Sequence, residues 1–327
     1  MSDLINIGIL STANIAKRHL IPAIKSLSSN FHLSGIASRS YDNASILAAE
    51  FETIAFDGYE NLIKNNNIDA VYIPLPNALH FEWVKKALLN KKHVLVEKSL
   101  GCSFEEVNEL TNLSIQNNLV LIENFQFRFH PQLNTIKEIL KLGKIGEIRS
   151  FRASFGFPPF QDDSNIRYSA KLGGGALLDA GAYTTKVSQI FIGNNLLVKA
   201  ATLNIQEKYL VDIWGGAFLL NQETGVFAEL SFGFDNFYQC GIEIIGSRGK
   251  ISTNRLFTSP PGHEPEILLE TNNGKEIIKV PASNHFENML LHFYDLVNKK
   301  ISMDDEHKNN LDQARLLSEI KKKASEK

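Results

Sequence analysis

The chain has 327 residues, 43% of them hydrophobic and 21% charged, with a formal net charge of −2. This is the composition of a soluble protein long enough for about two domains, and without a basic excess it is not expected to bind nucleic acid. Its two cysteines, Cys102 and Cys240, show no CxxC or zinc-type spacing, so neither a disulfide framework nor a metal is expected.

The opening Met1-Ser2-Asp3-Leu4-Ile5-Asn6 has no basic and apolar leader, and no later run is long enough to span a bilayer. A cytoplasmic location without membrane attachment is expected. Ile5 to Leu10 reads as an apolar strand, followed at once by Ser11-Thr12-Ala13-Asn14-Ile15-Ala16 and an amphipathic stretch to about Leu27. A strand, tight turn and helix in that order is where dinucleotide folds hold a pyrophosphate on the amides of the helix start. The turn reads Ser11-x-Ala13-x-x-Ala16 where the common fingerprint is G-x-G-x-x-G/A, so only its third position matches. Small side chains leave room for phosphate oxygens, and the Ser11 and Thr12 hydroxyls can donate to them. A simple Ser/Thr helix cap reads equally well on this turn alone. A second strand, Phe31 to Ser38, ends in Ser38-Arg39-Ser40, where an NAD site usually has a carboxylate. Hydroxyls and a guanidinium suit a 2′-phosphate, so NADP(H) is expected over NAD(H).

Helix Ala44 to Phe51, short strand Thr53-Ile54-Ala55 and helix Tyr59 to Lys64 come next. Strand Ala70 to Ile73 is broken by Pro74 and Pro76, and helix Leu79 to Asn90 follows. The strand His93-Val94-Leu95-Val96 then delivers Glu97 and Lys98 at its carboxyl end, where open α/β sheets bind ligands. On these residues alone, a solvated ion pair closing a strand is the competing reading. Helix Phe104 to Asn117 and strand Val120 to Glu123 complete an alternation that predicts a parallel, doubly wound sheet over residues 1–123.

Residues 124–327 change pattern. Helix Pro131 to Lys141, strand Glu147 to Gly156 and a helix opening near Gly175 precede strands at Val198 to Gln206, Asp212 to Leu220, Val226 to Phe234, Tyr238 to Ile245, Ile267 to Glu270 and Glu276 to Val280. Turn signals such as Asn272-Asn273-Gly274-Lys275 between them predict a largely antiparallel open sheet. Helices Phe286 to Asn298 and Leu311 to about Lys322 are assigned to this second α/β domain. Phe155-Gly156-Phe157-Pro158-Pro159-Phe160 reads as a loop packing its own rings, with an aromatic wall against a ligand as the alternative.

Asn77-Ala78-Leu79-His80, His93 to Lys98, Arg128-Phe129-His130-Pro131 and Gly173-Gly174-Gly175-Ala176-Leu177-Leu178-Asp179-Ala180-Gly181-Ala182-Tyr183 together resemble the Gfo/Idh/MocA oxidoreductases, named for glucose-fructose oxidoreductase and inositol dehydrogenase. The resemblance spans nearly the whole chain and is strongest to the sugar ketoreductase and dihydrodiol dehydrogenase branches, which often carry Tyr where inositol dehydrogenases carry His. It implies a Rossmann domain followed by an α/β domain with an open sheet, a nicotinamide cofactor, and a homodimer or homotetramer formed through that sheet. Lys98 matches the lysine between nicotinamide and substrate, and Asp179 and Tyr183 match the second motif, four apart on one helix face. These three are the candidate catalytic residues. Ser11, Thr12, Ala13, Asn14, Ile15, Ser38, Arg39, Pro74, Leu75, Asn77, His80, Glu97, Lys98 and Arg128 are candidates for the cofactor, and Lys98, Arg167, Asp179 and Tyr183 for the substrate. The glycine run is expected to let the helix start, with its free amides, approach a ligand. Ser99 stands where the family has Pro; a non-proline cis bond costs about 3–4 kcal/mol, so a trans Lys98-Ser99 peptide is expected.

The chemistry implied is NADPH-dependent reduction of a ketone on a sugar or nucleotide-activated sugar. Lys98 would polarise the carbonyl oxygen and either Lys98 or Tyr183 would supply the proton. An NAD(P)-linked dehydrogenase acting on a polyol, free sugar or dihydrodiol, and a nonenzymatic NADP(H)-binding sensor, are the alternatives.

Overall fold

The computed structural model describes residues 4–326; Met1-Ser2-Asp3, part of the stretch read for a leader in the sequence, and Lys327 lie outside them. Contacts divide the chain into two units, Met1–Phe125 with Phe286–Leu311, and Gln126–His285 with Asp312–Lys327.

The first unit holds six strands, β1 (Ile5–Leu10), β2 (Phe31–Ser38), β3 (Ala55–Asp57), β4 (Ala70–Ile73), β5 (His93–Glu97) and β6 (Leu121–Asn124). All pairs are parallel and the order is β3-β2-β1-β4-β5-β6. That is the Rossmann order, whose reversal between β1 and β4 opens a crevice at the strands' carboxyl ends. Helices α1 (Ile21–Ser26), α2 (Tyr41–Glu50), α3 (Tyr59–Ile63), α4 (Asn77–Leu89) and α5 (Phe104–Asn117) make the crossovers. The central strands β1, β4 and β5 are largely apolar because both faces are covered: Ile7, Ile9, Val71, Tyr72, Val94, Leu95 and Val96 are fully buried. The segment Phe286–Leu311, assigned to the second domain from the sequence, packs within this unit. Phe286 stacks on His19 at 4.9 Å, Tyr294 meets Phe31 at 5.8 Å, and Asn310 Nδ2 donates to Leu121 O at 3.1 Å. These are long-range contacts that sequence order does not reveal.

The second unit carries α6 (Pro131–Lys141), β7 (Ile148–Gly156), α7 (Ala182–Ile192), β8 (Leu196–Gln206), β9 (Val211–Asn221), β10 (Phe227–Gly233), β11 (Gln239–Gly246), β12 (Gly249–Thr253), β13 (Glu266–Thr271) and β14 (Gly274–Lys279). The sheet order is β14-β13-β12-β11-β7-β10-β9-β8, antiparallel except for the β7–β10 pair. Strand β12 is not evident in the sequence, since Gly249-Lys250-Ile251-Ser252-Thr253 offers one strong apolar residue; pairing with both β11 and β13 creates it. Along β9, Ile213, Ala217 and Leu219 point inward while Trp214 and Phe218 remain 43% and 37% exposed, the period-2 signature of a sheet with one covered face. The chain continues into α8 (His285–Val297) and α9 (Asp304–Ser325). No helix among the described residues is long and apolar enough to cross a membrane.

Candidate active site

In the first unit the turn after β1 forms without glycine. Ser11 takes φ +142°, a conformation that favours glycine, and its Oγ accepts from the Ala13 N–H at 3.1 Å. No side chain caps Ile15 at the start of the π-helical turn Ala16–Leu20, so the amides of this helix start suit a pyrophosphate. At the end of β2, Ser38 Oγ accepts from Ser40 N–H and Ser40 Oγ caps α2 through Asn43 N–H, both at 3.3 Å. Arg39 is exposed between them and interacts with Tyr59. Hydroxyls and a cation, with no carboxylate on Ser38-Arg39-Ser40, fit a phosphorylated ribose.

Glu97 is not a solvated residue. Tyr72 OH and Asn124 Nδ2 both donate to its Oε1 at 2.6 Å. Although part-exposed by area, its carboxyl is hemmed in by the chain, and this desolvation raises its pKa against the opposing pull of Tyr72, Lys98 and Asn124. Half-buried Lys98 follows at the strand end, and the Lys98-Ser99 peptide is cis. The expectation of a trans bond is therefore corrected. It weighed only the local peptide, whereas Ser99 is buried and its carbonyl lies 2.6 Å from His80 Nδ1, with the next amide, Leu100 N–H, donating to Glu123 Oε1 at 2.9 Å. His80 itself is fully buried; its Nε2 faces Leu75 O at 2.7 Å, so both ring nitrogens meet backbone carbonyls, which corrects the reading of His80 as a direct cofactor contact. Two N–H donors would need the imidazolium, but burial pushes the ring down to about 4, so at neutral pH it carries one proton and donates to one carbonyl at a time. Pro74 and Leu75 are buried beside it, and Asn77 opens α4 half-buried.

In the second unit the glycine run serves the chain's own packing. A Cβ on Gly174 would stand 2.3 Å from Arg167 O, and one on Gly175, at φ +115°, 2.3 Å from Asp212 Oδ1. Asp212, from β9, accepts the Leu177 N–H through Oδ2 at 2.6 Å, so this helix start is capped by protein, which corrects the expectation of free amides facing a ligand. Burial raises the Asp212 pKa despite those hydrogen bonds. Leu177–Gly181 is a π-helical turn and α7 follows it, an irregularity frequent at functional sites. Arg167 Nε donates to Asp179 Oδ2 at 2.5 Å, with Asp179 13% exposed, and Asp179 holds the guanidinium more firmly protonated, with a smaller contribution from Tyr183. Tyr183 is buried among Phe127, Phe155 and Phe257 at 5.1–5.7 Å, and Gln126 Nε2 donates to its hydroxyl at 3.4 Å. Arg128, half-buried, lies 5.2 Å from the Phe129 ring. Phe157, Phe160, Tyr168 and Phe234 pack on one another at 5.4–6.1 Å, so the aromatic loop packs its own rings.

Residues 5–125 match the model of the oxidoreductase family with NAD-binding Rossmann fold, and residues 133–252 match the GFO/IDH/MocA C-terminal domain. The chain belongs to the Gfo/Idh/MocA oxidoreductase family. Among its relatives, a dTDP-3,4-didehydro-2,6-dideoxy-alpha-D-glucose 3-reductase of Actinomadura kijaniata is 36% identical over 97% of this chain and 95% of its own. The reductase of the same name from Streptomyces violaceoruber is 38% identical over 85% of this chain and 81% of its own. The crystal structure of a 3-ketoreductase from Actinomadura kijaniata, in complex with NADP and TDP-benzene, superposes with a TM-score of 0.95 at 35% identity over 98% of each chain.

Two neighbours of this Gfo/Idh/MocA site escaped the sequence reading. Asp212 lies 35 positions from the amide it caps, and no local pattern links them. Gln126, two residues before the family's Arg128, was within reach of the motif but carries no chemistry of its own until the fold sets it against Tyr183.

Proposed function

We propose that this enzyme reduces a ketone on a nucleotide-activated sugar, with NADPH as the reductant. The observation that carries the reading is the likeness, along 98% of the chain, to a 3-ketoreductase solved with NADP and TDP-benzene. The turn Ser11 to Ile15 holds the pyrophosphate, Ser38 and Arg39 the 2′-phosphate, and Pro74, Leu75, Asn77, Glu97, Lys98 and Arg128 the rest of the cofactor, with His80 supporting these contacts from within the fold. NADPH supplies a hydride when bound. Lys98 places an ammonium on the carbonyl oxygen, stabilising the alkoxide that forms. Tyr183, its hydroxyl oxygen already accepting from Gln126, directs its own O–H to that oxygen and supplies the proton. Asp179 and Arg167, locked as an ion pair, hold the sugar's hydroxyls. A homodimer or homotetramer assembles through the open face of the second unit's sheet, where Trp214 and Phe218 lie uncovered in the single chain, Phe218 stacked on half-buried Phe227.

The test is NADPH oxidation against dTDP-linked keto sugars, with simple ketones and NAD-linked polyol oxidation run beside it. Lys98→Met is expected to lower turnover by about 100-fold while leaving NADPH affinity nearly unchanged. Unchanged turnover removes Lys98 from the chemistry, and preferential polyol oxidation replaces the reductase by a dehydrogenase.

A further inference from the structure

We propose that His80 is a positioning residue that fixes Lys98, acting from inside the fold and never touching a ligand. This rests on the role of Lys98 given above. Strands β4 and β5 are neighbours, with Ile73 opposite Val96, and each chain leaves the sheet at its carboxyl end. The two departing segments turn one carbonyl each, from Leu75 and from Ser99, onto the same imidazole at 2.7 and 2.6 Å. Side chains in the first turn of a helix lean back toward its start, which is how His80, the fourth residue of α4, reaches a carbonyl five positions earlier. The flanking Pro74 and Pro76 have no N–H to offer that stretch.

Lys98 is consequently held on both sides. Before it, the Glu97 carboxylate is fixed by Tyr72 and Asn124. After it, the Ser99 carbonyl meets His80 and the Leu100 amide is bound by Glu123. The ring is 0% exposed and both its nitrogens face backbone, so its effect on the reaction passes through the geometry of the residue it anchors. A misplacement of about 1 Å at a reacting group costs about 100-fold in rate.

The experiment compares wild type with His80→Ala and with His80→Gln, which keeps one N–H donor and serves if the alanine variant does not fold. Three quantities are read on protein shown to be folded by cooperative thermal unfolding: kcat and KM for the keto sugar, and the rate at which trinitrobenzenesulfonate labels Lys98 without cofactor, measured by peptide mass analysis against exposed Lys141. The expected result is a kcat lower by about 100-fold in His80→Ala, less in His80→Gln, with KM little changed, and a Lys98 labelling rate altered several-fold while that of Lys141 stays constant. Free imidazole, filling the vacated volume, is expected to restore part of both. Unchanged Lys98 labelling in the folded variants overturns the proposal whatever the activity. Altered labelling in a protein whose wild type reduces no keto sugar retains His80 as the anchor of Lys98 and discards the reductase reading.

Discussion

Ser11 shows how one side chain substitutes for a glycine. The turn requires φ +142° at this position, and for a residue with a Cβ such a conformation costs of order 1–3 kcal/mol. The hydroxyl offsets part of that cost by accepting the Ala13 amide, a bond of about 1 kcal/mol. Ser11→Ala loses the bond and keeps the strain, whereas Ser11→Gly loses the bond and sheds the strain. Glycine ordinarily destabilises by about 0.5–1 kcal/mol relative to alanine within regular structure; here urea unfolding is expected to rank Ser11→Gly above Ser11→Ala, with NADPH affinity following the same order. The ordinary ranking would refute a glycine-like role for Ser11.

At the scale of elements, the segment Arg167 to Tyr183 acts as one piece. The Arg167 carbonyl occupies the space a Gly174 side chain would need, its amide partner is Gly175 at 3.0 Å, its guanidinium holds Asp179, and Asp212 pins Leu177 from β9. A methyl at position 174 collides with backbone, which has no rotamer to give. Gly174→Ala is therefore expected to lower stability by about 1–3 kcal/mol, read by urea denaturation, and to lower turnover on the folded fraction because Asp179 loses its registered partner. A variant with wild-type stability and turnover would show that the close approach is not required.

At the scale of the whole molecule, stability should fall in acid over a definite window. His80, His93 and His130 are each pushed down to about 4 by burial, and burial also lowers His19 and His307. A base whose folded pKa is depressed contributes stability that is intact above its unfolded value of about 6.5 and is lost as pH falls through the folded value, because the unfolded chain takes up the proton first. Stability is expected to be nearly flat above pH 7 and to drop from pH 6.5 to 4, with about three protons, one for each of the three strongly shifted rings, taken up on unfolding near the middle of that range. Proton uptake measured by unfolding in unbuffered solution checks it, and none near pH 5.5 would contradict it. The open sheet face belongs to the same scale. Phe218→Glu puts a second carboxylate opposite Glu229, its register partner on β10, and is expected to shift the proposed homo-oligomer to smaller species in light scattering; an unchanged mass would refute an interface on this face.

The strand and helix alternation and the position of Glu97-Lys98 at a strand end were legible in the residues, because periodicity and short motifs are local and each names its own neighbours. A family resemblance in four ordered motifs then identified the oxidoreductase. What the tertiary structure alone decided lies in contacts between residues far apart in the chain. It made β12 a strand by giving it two partners, drew Phe286–Leu311 into the first unit, turned the glycine run from a ligand cradle into packing for Arg167 and Asp212, and gave the Lys98-Ser99 bond the isomer that local energetics disfavours. Local propensities carry a few kcal/mol at most, and the surroundings of a buried group override them; that is why the opening of the site was readable in one dimension and its walls were not.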